Sequence, residues 1–358
     1  MKSVLKFRLY PNKSQKRELF RQFSKHCDLY NFCRNERIET YKATKTSPSG
    51  IDQIKTNVPK FKNRTNVSSL QQTVRRVDKA FQNFFRRVKQ NQKPGFPRFK
   101  KYFNSIDFVA GDGVKIKNKK LYVQYVGNIK IVTHRDLPTY SRVTIKYQNG
   151  QFFASFIIDT PIKTLGPNNK TIGLDFGLKT FITTSDGEKI DSPKFLKQKL
   201  KQLTKAISKR DKIEKGTKSH KNKTRVVQTI FRKITNQRLN FNHTLSNKLV
   251  IENGTIIIEN LDIQKLSSSP INNINRTYND VSWSQFAQML AYKAENAGRK
   301  VVRVNPSYTS QICNHCGKTN ELTLKNRILS CECGYDQDRD INAAKNILAL
   351  GLQCLAQA

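Results

Sequence analysis

The sequence predicts an α/β protein of more than one domain, and three observations carry that expectation. Runs in which apolar and polar residues alternate, the period of a half-buried strand, fill residues 104–160 and recur from 171 to 190. Longer stretches with apolar residues three and four apart, the period of a helix face, lie before, between and after them. The chain has 358 residues, 37% of them hydrophobic, enough to fill the cores of two or three domains.

Charge narrows the partner. The 66 Lys and Arg against 26 Asp and Glu give a net charge of +40, which repels itself unless a polyanion neutralises it. Nucleic acid is the expected polyanion. A membrane surface fits less well, because the basic residues run the length of the chain instead of lining one amphipathic helix. No stretch approaches the ~20 apolar residues needed to cross a bilayer, and the N-terminus lacks a signal-peptide core. The expected location is the cytoplasm, with nucleoid association when nucleic acid is bound. The seven cysteines are an odd total that suits a reducing compartment, four clustered and three scattered (Cys27, Cys33, Cys354). The scattered three read as core or bystander thiols, and Cys27 and Cys33, six apart on one helix, point to different faces and make a poor metal pair.

In order, Leu5, Phe7 and Leu9 alternate with Lys6, Arg8 and Tyr10 as a first strand, stopped by Pro11. Asn12 and Gln15 resemble a capping box, and Leu19, Phe23, Cys27, Tyr30 and Ile38 continue at helical spacing. Residues 45–65 are polar with Pro and Gly and read as a loop. Leu70, Val74, Val77, Phe81, Phe84 and Val88 form the apolar stripe of a second helix, with Arg75, Arg76, Lys79, Arg86, Arg87 and Lys89 as a basic outer face. Gly95-Phe-Pro-Arg-Phe-Lys100 ends that helical region.

Five short strands follow, at 105–110, 121–125, 129–133, 143–147 and 152–158, with Asn149-Gly150 as a hairpin turn. They predict a small β-barrel or sandwich, joined by the first strand, with the helices of about 12–100 inserted between. Pro161 to Asn169 reads as a linker. The strand Thr171-Ile-Gly-Leu-Asp175-Phe-Gly177 continues into Lys179-Thr-Phe-Ile-Thr-Thr, turns at Asp186-Gly187 and returns, as the first three strands of a ribonuclease-H-like sheet do. Residues 193–252 read as basic helices broken near Gly216. A strand over 255–261 carries Glu259. Trp283, Phe286, Leu290 and Ala294 mark a helix over about 281–297 ending at Gly298, and Lys300 to Val304 is the last strand, closed by Pro306.

Two constellations carry chemistry. Cys313-Asn-His-Cys316-Gly and Cys331-Glu-Cys333-Gly are glycine-tailed knuckles around a short insert with too little apolar content to fold without a metal; four thiolates so placed suit tetrahedral Zn²⁺. The second knuckle has one intervening residue where two are commoner, and His315 reads as a bystander. The other constellation is acidic. Asp175 sits between Leu174 and Phe176, where burial is costly unless a cation meets it. Glu259 ends another apolar strand, and Asp338-Arg-Asp340-Ile-Asn opens a helix. Any one of these reads as an ordinary strand-end or capping acid. Together they predict convergence on two Mg²⁺ ions of the kind that hydrolyse a phosphodiester, with Asp340 ranked above Asp338, which either joins in or caps the helix.

Gly-Leu-Asp175-Phe-Gly-Leu-Lys-Thr, Ile-Ile-Ile-Glu259-Asn-Leu, Tyr308-Thr-Ser-Gln-Ile-Cys-Asn-His-Cys-Gly and Asp338-Arg-Asp-Ile-Asn-Ala-Ala-Lys-Asn-Ile resemble the motifs of the TnpB family, the insertion-sequence relatives of type V CRISPR effectors. Phe7-Arg-Leu-Tyr-Pro-Asn and Gly95-Phe-Pro-Arg-Phe-Lys match as well, so the resemblance spans nearly the whole chain. It implies a wedge β-barrel (1–11 and 101–165), a helical recognition insert (12–100), an RNase H-like (RuvC) nuclease domain (166–306 and 335–358) and an inserted zinc ribbon that binds target nucleic acid (307–334). It further implies a guide RNA from the transposon end and double-stranded target DNA cut beside a short adjacent motif by a monomer with its RNA. Asp175, Glu259 and Asp340 are then the catalytic, Mg²⁺-binding triad, and Cys313, Cys316, Cys331 and Cys333 the zinc ligands. The rival readings are a non-cleaving RNA-guided regulator and an RNA-independent transposase or resolvase.

Overall fold

The computed structural model describes residues 2–161, 164–261, 282–305, 307–322 and 326–357. The chain divides into two compact units, Met1–Thr160 and Pro161–Ala358.

In the first unit β1 (Lys2–Tyr10) is the central strand of a seven-stranded antiparallel sheet. It pairs with β7 (Gln151–Asp159) from Lys2 opposite Asp159 to Leu9 opposite Phe152, and with β5 (Gly127–Val132) on its other side. The remaining strands, β2 (Ser105–Val109), β3 (Val114–Lys117), β4 (Lys120–Val123) and β6 (Tyr140–Gln148), complete the order β2-β6-β7-β1-β5-β4-β3. The sheet curls on itself into a nearly closed barrel. Phe7, Ile106, Val114, Leu121, Ile145 and Phe156, from strands across its whole width, share one buried core, and Tyr140 bonds the backbone of Ile116 from the other end of the order. The strand β3 lies outside the alternating runs read in the sequence, where Gly111 and Gly113 break the pattern on its N-terminal side.

Three helices join β1 to β2. α1 (Lys13–Thr44) carries the expected Asn12–Gln15 capping box. Its Leu19 and Phe23 pack into the barrel core, while Leu29, Tyr30 and Cys33 pack against Leu70, Val74 and Val77 of α3 (Val67–Lys89). The expected loop over 45–65 is overturned. Gly50–Phe61 forms helix α2, nucleated by a capping box between Ser49 and Asp52 and anchored by buried Gln53, Asn57 and Val58. Pro59 sits two residues from its end, so the disruption it brings falls where the helix stops. Polar composition misled because Gln53 and Asn57 are inside: both donate to Glu36, and Gln53 accepts from Arg37. Arg76 also departs from the basic outer face, since it turns inward to pair with Asp107 of β2 at 2.6 Å. Asn31 ties down the Gly95–Lys100 segment by exchanging hydrogen bonds of 2.8 and 2.9 Å with the Lys100 backbone.

The second unit is built on a five-stranded mixed sheet of order β10-β9-β8-β11-β12. β8 (Thr171–Phe176), β11 (Thr255–Glu259) and β12 (Lys300–Val304) run parallel, and β9 (Thr180–Thr184) and β10 (Lys189–Asp191) complete an antiparallel meander. Pro306, read as the stop of β12, and position 281 lie outside the described residues. One face of the sheet packs Ile172, Leu174, Phe176, Ile256 and Ile258 against the C-terminal half of α5 (Lys218–Glu252) and against α6 (Trp283–Ala297). Trp283 is a buried core residue there. Gly298, with φ at 68°, ends α6 as a left-handed cap.

The other face receives α7 (Arg339–Ala356). Side chains alternate along a strand, so Gly173 and Ile257 face α7 together with Asp175 and Glu259. A Cβ built on Gly173 would lie 2.3 Å from the Ala344 carbonyl, so only glycine admits the helix this close. Gly173→Ala is therefore expected to cost about 1–3 kcal/mol of unfolding free energy in urea titrations, and to loosen the first turn of α7 in hydrogen exchange.

Candidate functional site

Register sets the first two acids side by side. Ile258 of β11 lies opposite Leu174 of β8, and each is followed by an acid at the C-terminal end of its strand. Asp340 comes from the opening turn of α7, one helical turn before the Ala344 that abuts Gly173. All three line one cavity of about 470 Å³, together with Thr309, Arg327 and Arg339. Asp338 is the helix cap: its carboxylate accepts from the backbone N–H of Asp340 and Ile341 and pairs with Lys189.

The electrostatics of the cavity are those of crowded acids only partly offset by Arg339, whose Nε lies 3.9 Å from the Asp340 carboxylate. Burial, then the charges of Glu259 and Asp340, push the Asp175 carboxyl up to about 8, with Arg339 only partly offsetting them. Asp175 keeps some solvent access through the cavity mouth, yet its carboxyl is densely walled by protein. Glu259 is also raised by burial, against the hydrogen bond it accepts from Thr309 at 2.6 Å. At neutral pH Asp175 therefore retains its proton in the absence of a cation. Hard carboxylate oxygens crowded in this way are a donor set for a divalent ion such as Mg²⁺.

The four knuckle cysteines meet as expected. Their sulfurs all lie within 4.8 Å of one another, a group able to hold a metal ion. Cys331 is pulled down to about 7, first by the backbone N–H of Cys333 and then by the neighbouring thiols. The insert contributes β13 (Ile328–Ser330), paired with β14 (Asp336–Asp338), and Leu329 packs between Cys313 and Cys331. His315 stacks on Tyr335 with ring centroids 5.7 Å apart and borders the cysteine group, its Nδ1 4.0 Å from the Cys333 sulfur.

Reading the sequence missed the residues that join these two sites. Asn342 and Asn346, four apart on one face of α7, donate to the Ile312 carbonyl at 2.7 Å, and Asn346 also reaches Thr309 at 2.8 Å. Asn342 and Asn346 in turn accept from the backbone and side chain of Asn314 inside the first knuckle. The Arg339 N–H donates to the Arg327 carbonyl, so the insert carries Arg327 to the acid cavity. The signal available was two buried-type asparagines at i and i+4 of the Asp338 motif, a spacing that demands partners on one side of the helix.

A mixed sheet with converging acids and a four-cysteine module, following a curled barrel in the chain, is a Cas12-like fold. A Cas12f1 chain solved by cryo-EM in a complex with sgRNA and target DNA matches at TM-score 0.59 and 14% identity, over 97% of this chain and 98% of that one. The mini-RNA-guided endonuclease CRISPR-Cas-phi3 matches at TM-score 0.53 and 10% identity, over 98% and 92%. Three family profiles match: "Probable transposase" at residues 155–269, "Cas12f1-like, TNB domain" at 283–347 and "Helix-turn-helix domain" at 1–46, where this chain forms one strand and one unbroken helix. A "Putative RNA-guided DNA endonuclease" of Streptomyces pristinaespiralis is 29% identical, with 99% of this chain and 91% of that protein covered. The similarly described InsQ of Escherichia coli (strain K12) is 29% identical over 99% and 93%. The chain belongs to the TnpB family.

Two measurements follow from the geometry. A carboxyl raised from its ordinary 3.8 to about 8 leaves apo stability full below about pH 4 and lost progressively as pH rises toward 8. Asp175→Asn in EDTA should therefore melt higher than the parent by at least ~2 °C at alkaline pH, with the gap closing near pH 4 in a calorimetric series. Metal analysis should find one tightly held ion per four-cysteine group, lost in Cys331→Ser, with exchange protection lost at Asn314 and along the first turns of α7.

Proposed function

We propose that this chain is an RNA-guided DNA endonuclease whose active site is the cavity of Asp175, Glu259 and Asp340. The observation that carries the proposal is the convergence of three acids, 84 and 81 positions apart in sequence, on one cavity whose negative charge Arg339 offsets only in part. The strand order β10-β9-β8-β11-β12, third-second-first-fourth-fifth in chain sequence, supports an RNase H-like, RuvC-type reading of the sheet. Relatives described as RNA-guided DNA endonucleases support the guide requirement. On this reading the barrel with its helices is the wedge and recognition part, the cysteine module holds Zn²⁺ and binds target nucleic acid, and the partners are a guide RNA and double-stranded DNA beside an adjacent motif.

Divalent cations held by Asp175, Glu259 and Asp340 would activate the attacking water and stabilise the leaving oxygen of the scissile phosphate. The protein's own groups do the positioning. Thr309 orients Glu259 by its hydrogen bond, and Asp338 caps α7 so that Asp340 stays on the cavity wall. Arg327 and Arg339 line the same cavity and face the charge that develops on a phosphodiester in transit. Cation binding must expel the proton that burial and the charges of Glu259 and Asp340 hold on Asp175, so affinity for Mg²⁺ is expected to rise with pH up to about 8.

The decisive experiment is plasmid cleavage by protein purified with its own RNA, which is then sequenced. Mg²⁺-dependent cutting next to a short motif is expected, abolished by RNase treatment. Asp175→Ala, Glu259→Ala and Asp340→Ala should each lower the rate by about 10²–10³ or more while RNA still co-purifies. Undiminished cutting in any one of them removes that residue from the active site. Cutting that survives RNase makes the chain an RNA-independent transposase or resolvase.

A further inference from the structure

Helices α4 (Phe195–Asp211) and α5 form a hairpin that the acid cavity does not use. The hairpin leaves the sheet at the acid edge. Asp191, the last residue of β10, pairs with Thr180, and the Ser192 N–H donates to the Lys179 carbonyl; Lys179 and Thr180 both line the acid cavity. α4 starts three residues later. On the return, Phe241 of α5 packs its ring 5.0 Å from Phe181 in β9, still at that edge, and Leu245, Leu249 and Val250 then run down the sheet toward β11. Back from Phe241 to Lys218, α5 extends about 35 Å away from the sheet.

This extension is held by its own small core, Leu203 against Val227, Ile230 and Ile234. Its charge is one-sided: residues 194–240 contain sixteen Lys and Arg and two acids. The valley between the two helices has Ala206, Val226 and Ile230 along its floor and Lys205, Lys209, Lys223, Arg225 and Lys233 along its rims. Among the described residues no acid lines it, and all five cations are exposed. Lys205 and Lys209 stand one helical turn apart, about 6 Å, while Lys223 and Lys233 on the facing wall are ten residues, about 15 Å, apart with Val226 and Ile230 between them, giving a ladder of cations along both walls at intervals of about 6–15 Å. Such a ladder follows one sugar-phosphate backbone. A valley between two packed helices, whose axes lie roughly 8–10 Å apart, is too narrow to seat a duplex.

We infer that the α4–α5 hairpin is an arm that holds the DNA strand to be cut, as a single strand, and leads it along the Lys205–Lys233 valley to the acid edge. The assignment to the substrate strand rests on the nuclease reading above. Charge complementarity gives the polyanion, and continuity with Lys179 and Thr180 gives the strand that the acids act on. The contact is to phosphates, since Gln202 and Thr229 are the only neutral hydrogen-bonding side chains among the five cations that line the valley, so it depends little on sequence.

The test separates binding from cutting by working in EDTA. Full-length protein carrying its co-purified RNA is titrated with a fluorescein-labelled oligo-dT of about 20 nucleotides over a range of salt, read by anisotropy. The quadruple variant Lys205→Gln, Lys209→Gln, Lys223→Gln, Lys233→Gln should bind more weakly, and its plot of log affinity against log salt should be shallower by about 2–3. The matching Lys→Arg set keeps the charge and should bind as the parent does, and a far-ultraviolet circular dichroism melt of the Gln set that matches the parent's excludes misfolding of the exposed hairpin as the cause. Asp175→Ala should leave the slope unchanged, so loss of cleavage and loss of the arm read out separately. An unchanged slope in the Gln set overturns the inference. A slope that falls for an RNA·DNA hybrid probe and not for oligo-dT also overturns it, because the arm would then hold the guide duplex.

Discussion

The close approach of α7 to β8 is the constraint on which the second unit depends. Gly173 has no Cβ because the Ala344 carbonyl occupies its place, and further along the helix Gly351 leaves room for the Ile257 side chain of β11. Two glycine contacts fix the helix axis against two neighbouring strands. The acids ride on that contact. Asp175 follows Gly173 by two residues and so shares its face, Glu259 follows Ile257 by two, and Asp340 precedes Ala344 by one turn. Backbone packing thus decides the geometry of three carboxylates whose own interaction is repulsive.

That repulsion has to be absorbed elsewhere. In a chain of net charge +40 the acid cavity is a local inversion of sign, and Arg339 at its wall offsets only part of it. The cluster is held by neutral hydrogen bonds: Thr309 to Glu259, Asn346 to Thr309, and the paired asparagines to the Ile312 carbonyl. Neutral donors fix an acid without cancelling the charge that attracts a cation. The same bonds make the cysteine module and the acid site one mechanical piece. A metal that organises Cys313, Cys316, Cys331 and Cys333 also organises Asn314, and through Asn342 and Asn346 the start of α7.

The basic surplus is not spread evenly. Some of it is structural, as in the Arg76–Asp107 pair that ties α3 to the barrel and Arg37 inside the polar core of the helices. The α4–α5 hairpin has almost no acids to answer it. Position turns that excess from a solubility feature into a track, because the hairpin springs from the strand end that lines the acid cavity.

Much of this was legible in the sequence. Strand alternation placed β1 and most of the barrel, and helical spacing placed α1, α3 and α6, because each of these elements buries one regular face. Asp175, Glu259, Asp340 and the four cysteines stood out because acids in apolar strands and thiols in glycine-tailed pairs are expensive without a partner. Two elements were hidden. α2 buries amides instead of apolar groups, so Gln53 and Asn57 looked like loop, and β3 is too short, between Gly113 and the turn at Asn118, to establish a period. What the sequence by itself determined was which side chains needed a partner. Which partner each received, Thr309 for Glu259 and Asn314 for Asn342, was decided only when α7 docked on the sheet, because those contacts join residues 50 and 28 positions apart and leave no periodic trace along the chain.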